Sequence, residues 1–159
     1  IMTAIRTAVL GIASSAFLAL PALAQSNIMA SDPASIIGYF ESEGFPATLE
    51  SDNQGDPLIE VKYFGSSFSV YFYGCDNNAD CLSIQFFSGY RTEGSVDIAR
   101  INEWNTEFRY LRAYLTDEQS SRIEYDIYTG TTGLSKDDFS GAVDNWTRGL
   151  QRFEEFIDW

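Results

Sequence analysis

The chain has 159 residues, is 45% hydrophobic, and carries 12 Phe, 9 Tyr and 3 Trp, enough apolar material to bury one core and nothing that asks for a second. Ten basic residues stand against 23 acidic ones for a net charge of −13, so the surface repels phosphate backbones and anionic headgroups, and nucleic acid is excluded as a natural partner. There is no histidine, which removes Ser-His-Asp and Cys-His catalysis, imidazole acid–base work and most zinc centres in one step.

The first two dozen residues read as a secretory signal peptide over 1–24. Arg6 supplies a positive start, Ala8 to Leu20 an apolar run, and Ala22-Leu23-Ala24 a small-x-small cleavage pattern before Gln25. The run is short for a membrane span of about 20 residues. No cysteine follows the cleavage point, so no lipid anchor is expected there. The implied location is periplasmic or secreted, with no stable membrane anchor after cleavage. Loss of Arg6 leaves nine basic residues against 23 acidic, a net charge of −14.

Residues 25–31 read as a flexible terminus, followed by a single domain over 32–159. Asp32-Pro33 has the form of an N-cap and first helical residue, and Ile36, Ile37 and Phe40 give the helix Pro33 to Glu43 an apolar face before Gly44 stops it. Pro46 to Ser51 and Pro57 to Tyr63 read as strands around the turn Asp52 to Asp56.

Ser67 to Phe87 is the most informative stretch. Phe68, Val70 and Phe72 alternate with Ser67, Ser69, Tyr71 and Tyr73; in the partner run Leu82, Ile84 and Phe86 alternate with Ser83, Gln85 and Phe87. The turn-forming loop Gly74 to Cys81 reverses the chain and brings Cys75 and Cys81 together. In an exported chain this pair is predicted to form a disulfide. A redox role would want the tighter C-x-x-C spacing, and Asp76 and Asp80 disfavour a thiolate. The four strands to this point predict an antiparallel meander.

Ser95 is a good N-cap for a second helix in which Ile98, Ile101, Trp104, Phe108 and Leu111 recur at spacings of three and four, ending near Phe108 to Tyr110. Leu111 to Thr116 and Arg122 to Thr129 form another strand pair. Ser135 with Asp138 resembles a capping box, and Phe139, Val143, Trp146, Leu150, Phe153 and Ile157 make the third helix strongly amphipathic. The order α-β-β-β-β-α-β-β-α predicts an α+β fold, an antiparallel sheet with helices packed on one face.

GDPLIEV, FSVYFYGC, the C-x5-C loop, LSIQFFSGY, INEWN with FRYLRAYL, and the closing tryptophan helix resemble the YbjN family over roughly Ser31 to Trp159. The family is similar in fold to type III secretion chaperones, small acidic α+β dimers that hold partner polypeptides. Some members carry the label of sensory transduction regulators. The resemblance implies no defined enzymatic activity, and the signal peptide and cysteine pair set this chain apart from cytosolic members.

The residues themselves offer little chemistry. No P-loop, dinucleotide fingerprint or G-x-S-x-G is present. Asp76 to Asp80 imitates half an EF-hand loop, but Cys81 replaces the turn glycine and Phe87 the bidentate glutamate, so no metal is expected. Asp137/Asp138 and Glu154/Glu155 are adjacent on a helix and diverge. No catalytic residue or cofactor is assigned.

Binding is the remaining option. Tyr71, Tyr73 and Phe87 on one face of the hairpin, with Asn102, Trp104 and Asn105 on the second helix, form the candidate binding surface; Trp104 alternatively belongs to the core, its flanking amides bonding nearby backbone. The expected function is a non-enzymatic exported protein-binding or regulatory module, chaperone-like, with a protein or peptide partner or a second copy as occupant. The alternative is a small-molecule or envelope-stress ligand sensor with a pocket lined by Tyr71, Tyr73 and Trp104.

Overall fold

The computed structural model describes residues 26–159; the signal peptide expected over 1–24 lies outside the described residues. In chain order the elements are α1 (Pro33–Ser42), β1 (Ala47–Ser51), β2 (Pro57–Tyr63), β3 (Ser66–Tyr73), β4 (Ser83–Tyr90), α2 (Ile98–Glu107), β5 (Arg112–Leu115), β6 (Ser121–Tyr128) and α3 (Lys136–Phe156). This is the α+β order the sequence predicts.

All six strands join one antiparallel sheet in the order β1-β2-β3-β4-β6-β5. The first four form the expected meander. The last two invert: α2 carries the chain past the edge of β4, β5 takes the outer position, and β6 returns between them. β6 pairs with β4 over its whole length, from Ser83↔Tyr128 to Tyr90↔Ser121, whereas the four-residue β5 covers only Ser121 to Glu124. A long strand placed inside satisfies more backbone groups than a short one would.

Period-two alternation decides which face is buried. Ile59 and Val61 on β2, Phe68, Val70 and Phe72 on β3, Ile84 and Phe86 on β4, and Ile123 and Ile127 on β6 all point to the helix side and are buried. Onto them α3 lays Phe139, Val143, Trp146, Leu150 and Phe153. Phe86 is the centre of the contact, its ring 5.7 Å from both Phe68 and Trp146 and 6.2 Å from Phe139. Tilted and edge-on arrangements of this kind fill space without stacking like charge on like.

Local signals set the helix ends. Ser135 Oγ accepts from the Asp138 N–H at 3.0 Å and donates to Asp138 Oδ2 at 2.7 Å, so the reciprocal bond of the capping pair goes to the hydroxyl rather than to the backbone. α2 is capped by Asp97 rather than by Ser95. The Asp97 carboxylate accepts from the Arg100 N–H at 2.8 Å, while the Ser95 N–H is already spent in a turn to the Thr92 carbonyl. At α1 the Asp32 side chain caps nothing; instead Ser35 Oγ donates to the Asp32 carbonyl at 2.6 Å. Residues 28–31 are not a loose end. Ile28 exchanges two backbone hydrogen bonds with Leu134, and Ile28 and Ala30 are buried.

Cys75 and Cys81 are joined as a disulfide across the β3–β4 loop. Asn78, held at φ 62° inside that loop, sends its amide to the Gln54 carbonyl at 3.1 Å and to Asp56 Oδ1 at 2.8 Å, tying the loop to the β1–β2 turn. Replacing both cysteines by serine is expected to cost about 2 kcal/mol by urea denaturation, the loop-closure entropy of a short ring. The sheet itself persists by far-ultraviolet circular dichroism, since the strands pair without the bridge.

Candidate functional site: the open face of the sheet

The same alternation that fills the core projects a second set of side chains away from the helices. Leu58 and Glu60 on β2, Ser69, Tyr71 and Tyr73 on β3, Ser83, Gln85 and Phe87 on β4, Arg122, Glu124, Asp126 and Tyr128 on β6, and Arg112 and Tyr114 on β5 share this face. No helix among the described residues covers it. Register aligns Leu58, Tyr71, Gln85 and Asp126 in one row and Glu60, Ser69, Phe87, Glu124 and Arg112 in the next. Tyr71 and Phe87, on adjacent rows, meet edge to face at 5.5 Å. Gly89 leaves room for Arg122 to lie across the sheet toward the Phe87 ring, at 5.9 Å; a Cβ there would come within 2.6 Å of Arg122 Nη1.

A polar network runs through this apolar setting. Glu124 is only 5% exposed although it faces away from the core. Its carboxylate accepts from Arg112 Nε at 2.9 Å and from Arg112 Nη2, from the Tyr114 hydroxyl at 2.7 Å, and from Gln85 Nε2 at 3.3 Å. Gln85, equally buried, also donates to Asp126 Oδ1 at 2.8 Å and accepts from the Tyr73 hydroxyl at 3.3 Å. Burial first, and then the hydrogen bond and negative charge of Glu124, push the Tyr114 hydroxyl up to about 12; burial, Glu124 and Asp126 raise Tyr73 in the same direction. The phenols therefore stay neutral donors at physiological pH. Arg112 pairs with Glu124 and also reaches Asp126 Oδ2 at 3.8 Å, so one guanidinium faces two carboxylates and the cluster keeps a net negative charge, with Asp126 the more exposed of the two acids.

The two sides of β5 and β6 differ in their edges. Asn105 on α2 clasps the outer side of β5 by donating its amide to the Ala113 carbonyl at 3.0 Å and accepting from the Ala113 N–H at 2.9 Å, imitating a paired strand. Since Ala113 turns its polar groups outward, the alternation of the ladder directs those of Arg112 and Tyr114 toward β6, and those of Glu124 toward β5. Continued along β6, it places the N–H and C=O of Asp126 and Tyr128 on the same side, beyond the point where β5 begins. Among the described residues the strand here has β4 on one flank and no strand on the other. A cavity of about 540 Å³ lies beside this gap, walled by Tyr73, Gln85, Arg112, Asp126 and Tyr128.

The sequence-predicted residues separate into two groups. Tyr71, Tyr73 and Phe87 stand on the open face. Trp104 does not join them: it is 1% exposed, donates its indole N–H to the Leu111 carbonyl at 3.1 Å, and packs on Phe108 and Phe153. Asn105 is committed to β5, and Asn102 is exposed on α2. The expected pocket between Tyr71, Tyr73 and Trp104 is therefore not formed, because the two tyrosines and the tryptophan lie on opposite sides of the sheet. Gln85, Arg112, Tyr114, Glu124, Asp126 and Tyr128 were not singled out from the sequence. Their signal was there in the charged positions alternating with Ile123, Tyr125 and Ile127, but only the strand order brings them beside Tyr73.

Fold and site together describe a small helix-on-sheet module with one sheet face left free. The family model YbjN, described as "Putative bacterial sensory transduction regulator", matches residues 32–159, and the chain belongs to that family. Among solved structures it is similar in fold to an uncharacterized protein from Methanothermobacter thermautotrophicus, with a TM-score of 0.54 and 16% identity over 79% of this chain and 95% of the other. No curated protein matches it in sequence. No helix among the described residues is long and apolar enough to cross a membrane, and the disulfide is compatible with an extracytoplasmic location.

Glu124→Ala removes the acceptor of four hydrogen bonds from Arg112, Tyr114 and Gln85 and is expected to cost about 2 kcal/mol in chemical denaturation, the scale of lost hydrogen bonds to a charged group. Because the Tyr114 value is raised from 10.0 to about 12, its stabilising contribution is whole below about 10 and is lost as pH rises through about 12. Ultraviolet titration of the phenolates checks this: Tyr114→Phe should delete one late-titrating group and leave the earlier ones in place.

Proposed function

We propose that this chain is a non-enzymatic, exported protein-binding or regulatory module of the periplasm that holds an extended segment of a partner polypeptide on the open face. The observation that carries the reading is the half-paired strand β6. Asp126 and Tyr128 offer backbone donors and acceptors in line with β5, next to a cavity flanked by Tyr73 and Tyr128. A strand added there continues β5 and gains main-chain hydrogen bonds, while alternate side chains fall on the aromatic surface. Charge selects among segments. Asp126 faces outward in a chain of net charge −13, so a lysine or arginine opposite it is favoured.

The family description as a sensory transduction regulator supports a binding or regulatory role of this general kind. The disulfide and the signal-like first 24 residues support export. A homodimer through the open face is the competing occupant.

The test is a titration of isotope-labelled protein with extended peptides that alternate basic and apolar residues, followed by amide chemical shifts. Shifts centred on Asp126 and Tyr128, with affinity reduced roughly tenfold in Asp126→Lys, are the expected result. Shifts confined to the helices, or a sedimentation-defined dimer whose contacts already occupy Tyr73 and Tyr128, would sink the reading.

A further inference from the structure

A second cavity, of about 300 Å³, opens where the loop after α2 crosses α3, and it shares no lining residue with the one on the open face. Its wall carries Arg109, Arg148 and Arg152, three of the chain's ten basic residues, against the single carboxylate of Glu107. In a chain of net charge −13 this is a local reversal of sign. Among the described residues none of the three guanidiniums forms a salt bridge, whereas Arg100, Arg112 and Lys136 are each paired with a carboxylate.

The fold holds this arrangement on two rigid supports. Asn145, Arg148, Gly149 and Arg152 stand at i, i+3, i+4 and i+7 of α3, which places them on one side of the helix. Arg109 reaches the cavity from the connecting loop, which turns at Tyr110 with φ 72°. Gly149 is what lets the loop approach so closely, since a Cβ there would collide with the Leu111 side chain. Beneath the arginines the rings of Trp104 and Phe108 lie 4.2 Å apart, and the Arg152 guanidinium sits 5.4 Å from the Phe108 ring.

Planar guanidiniums without protein partners match the oxygens of phosphate two at a time, and an aromatic floor accepts a ring or apolar body beside them. The volume is at the small end of the range for compact ligands, and the acidic surface around it repels long polyanions. We propose that this cavity binds a small phosphate-bearing molecule, with the phosphate on Arg109, Arg148 and Arg152 and an apolar or aromatic body over Phe108 and Tyr110. The site is independent of the strand-addition reading, and either can fail without the other.

Calorimetric titration of the full chain at low ionic strength with phenyl phosphate, and with phenol as the uncharged control, tests it. Saturable one-site binding of phenyl phosphate and none of phenol is expected. Arg148→Gln combined with Arg152→Gln should weaken it roughly a hundredfold, and the loop variant Arg109→Gln roughly tenfold, as expected for lost charge-assisted bonds. Arg91→Gln, a distant exposed site, separates this from a general charge effect and should leave affinity unchanged. Should the double variant fail to fold, Arg109→Gln decides alone. No binding of phenyl phosphate up to about 10 mM, equal affinity in wild type and Arg109→Gln, or phenol binding as tightly as its phosphate would overturn the proposal.

Discussion

The interlock between α3 and the middle of the sheet is the contact on which the other features depend. Trp146 and Phe139 from the helix close on Phe86 from β4 and Phe68 from β3, and each of these four rings is at most 2% exposed. An apolar stripe on one helix can cover one face of a sheet and no more. α1 adds Phe40 over the same centre and α2 adds Trp104 against Phe153 at its end, so all three helices are drawn to one side. The bareness of the other face is thus a result of where the apolar material lies in the sequence.

A bare face with aromatic side chains must still be kept soluble and ordered. Here the alternation places Glu124, Gln85 and Arg112 among Tyr73, Tyr114 and Phe87, and their hydrogen bonds satisfy one another. Such a network breaks up the apolar surface and fixes its side chains at the same time. Edges raise the related problem of unpaired backbone. On β5 it is met by the Asn105 amide, which occupies Ala113 as a neighbouring strand would. Among the described residues β6 has no such clasp beyond Glu124. A closed edge and an open one thus stand a few residues apart, the open one at Asp126 and Tyr128.

Charge is distributed with similar unevenness. Arg100, Arg112 and Lys136 are paired with carboxylates, while Arg109, Arg148 and Arg152 gather at one cavity over an aromatic floor. Tyr110, in the wall of that cavity, has its ring centred 6.1 Å from that of Tyr125 on β6.

The sequence alone determined the elements and the inward-facing residues. Spacings of three and four put Phe139 through Phe153 on one stripe, period two sorted Phe68 from Tyr71, and a turn-rich loop between two cysteines implied their bridge. These properties are local, and local sterics and patterning are enough to set them. What the tertiary structure decided was neighbourhood. Trp104 has the spacing of a core residue and the look of a recognition residue, and only the packing of α2 against Phe153 resolves the matter. Asn105 finds Ala113 through a loop whose course no periodicity encodes. The inversion of β5 and β6 brings Glu124 and Asp126 beside Gln85 and Tyr73, and the crossing of α3 by the loop after α2 assembles the three arginines. Each of these depends on contacts between residues distant in the chain, whose pairing is settled by the global fit of surfaces rather than by any stretch of sequence.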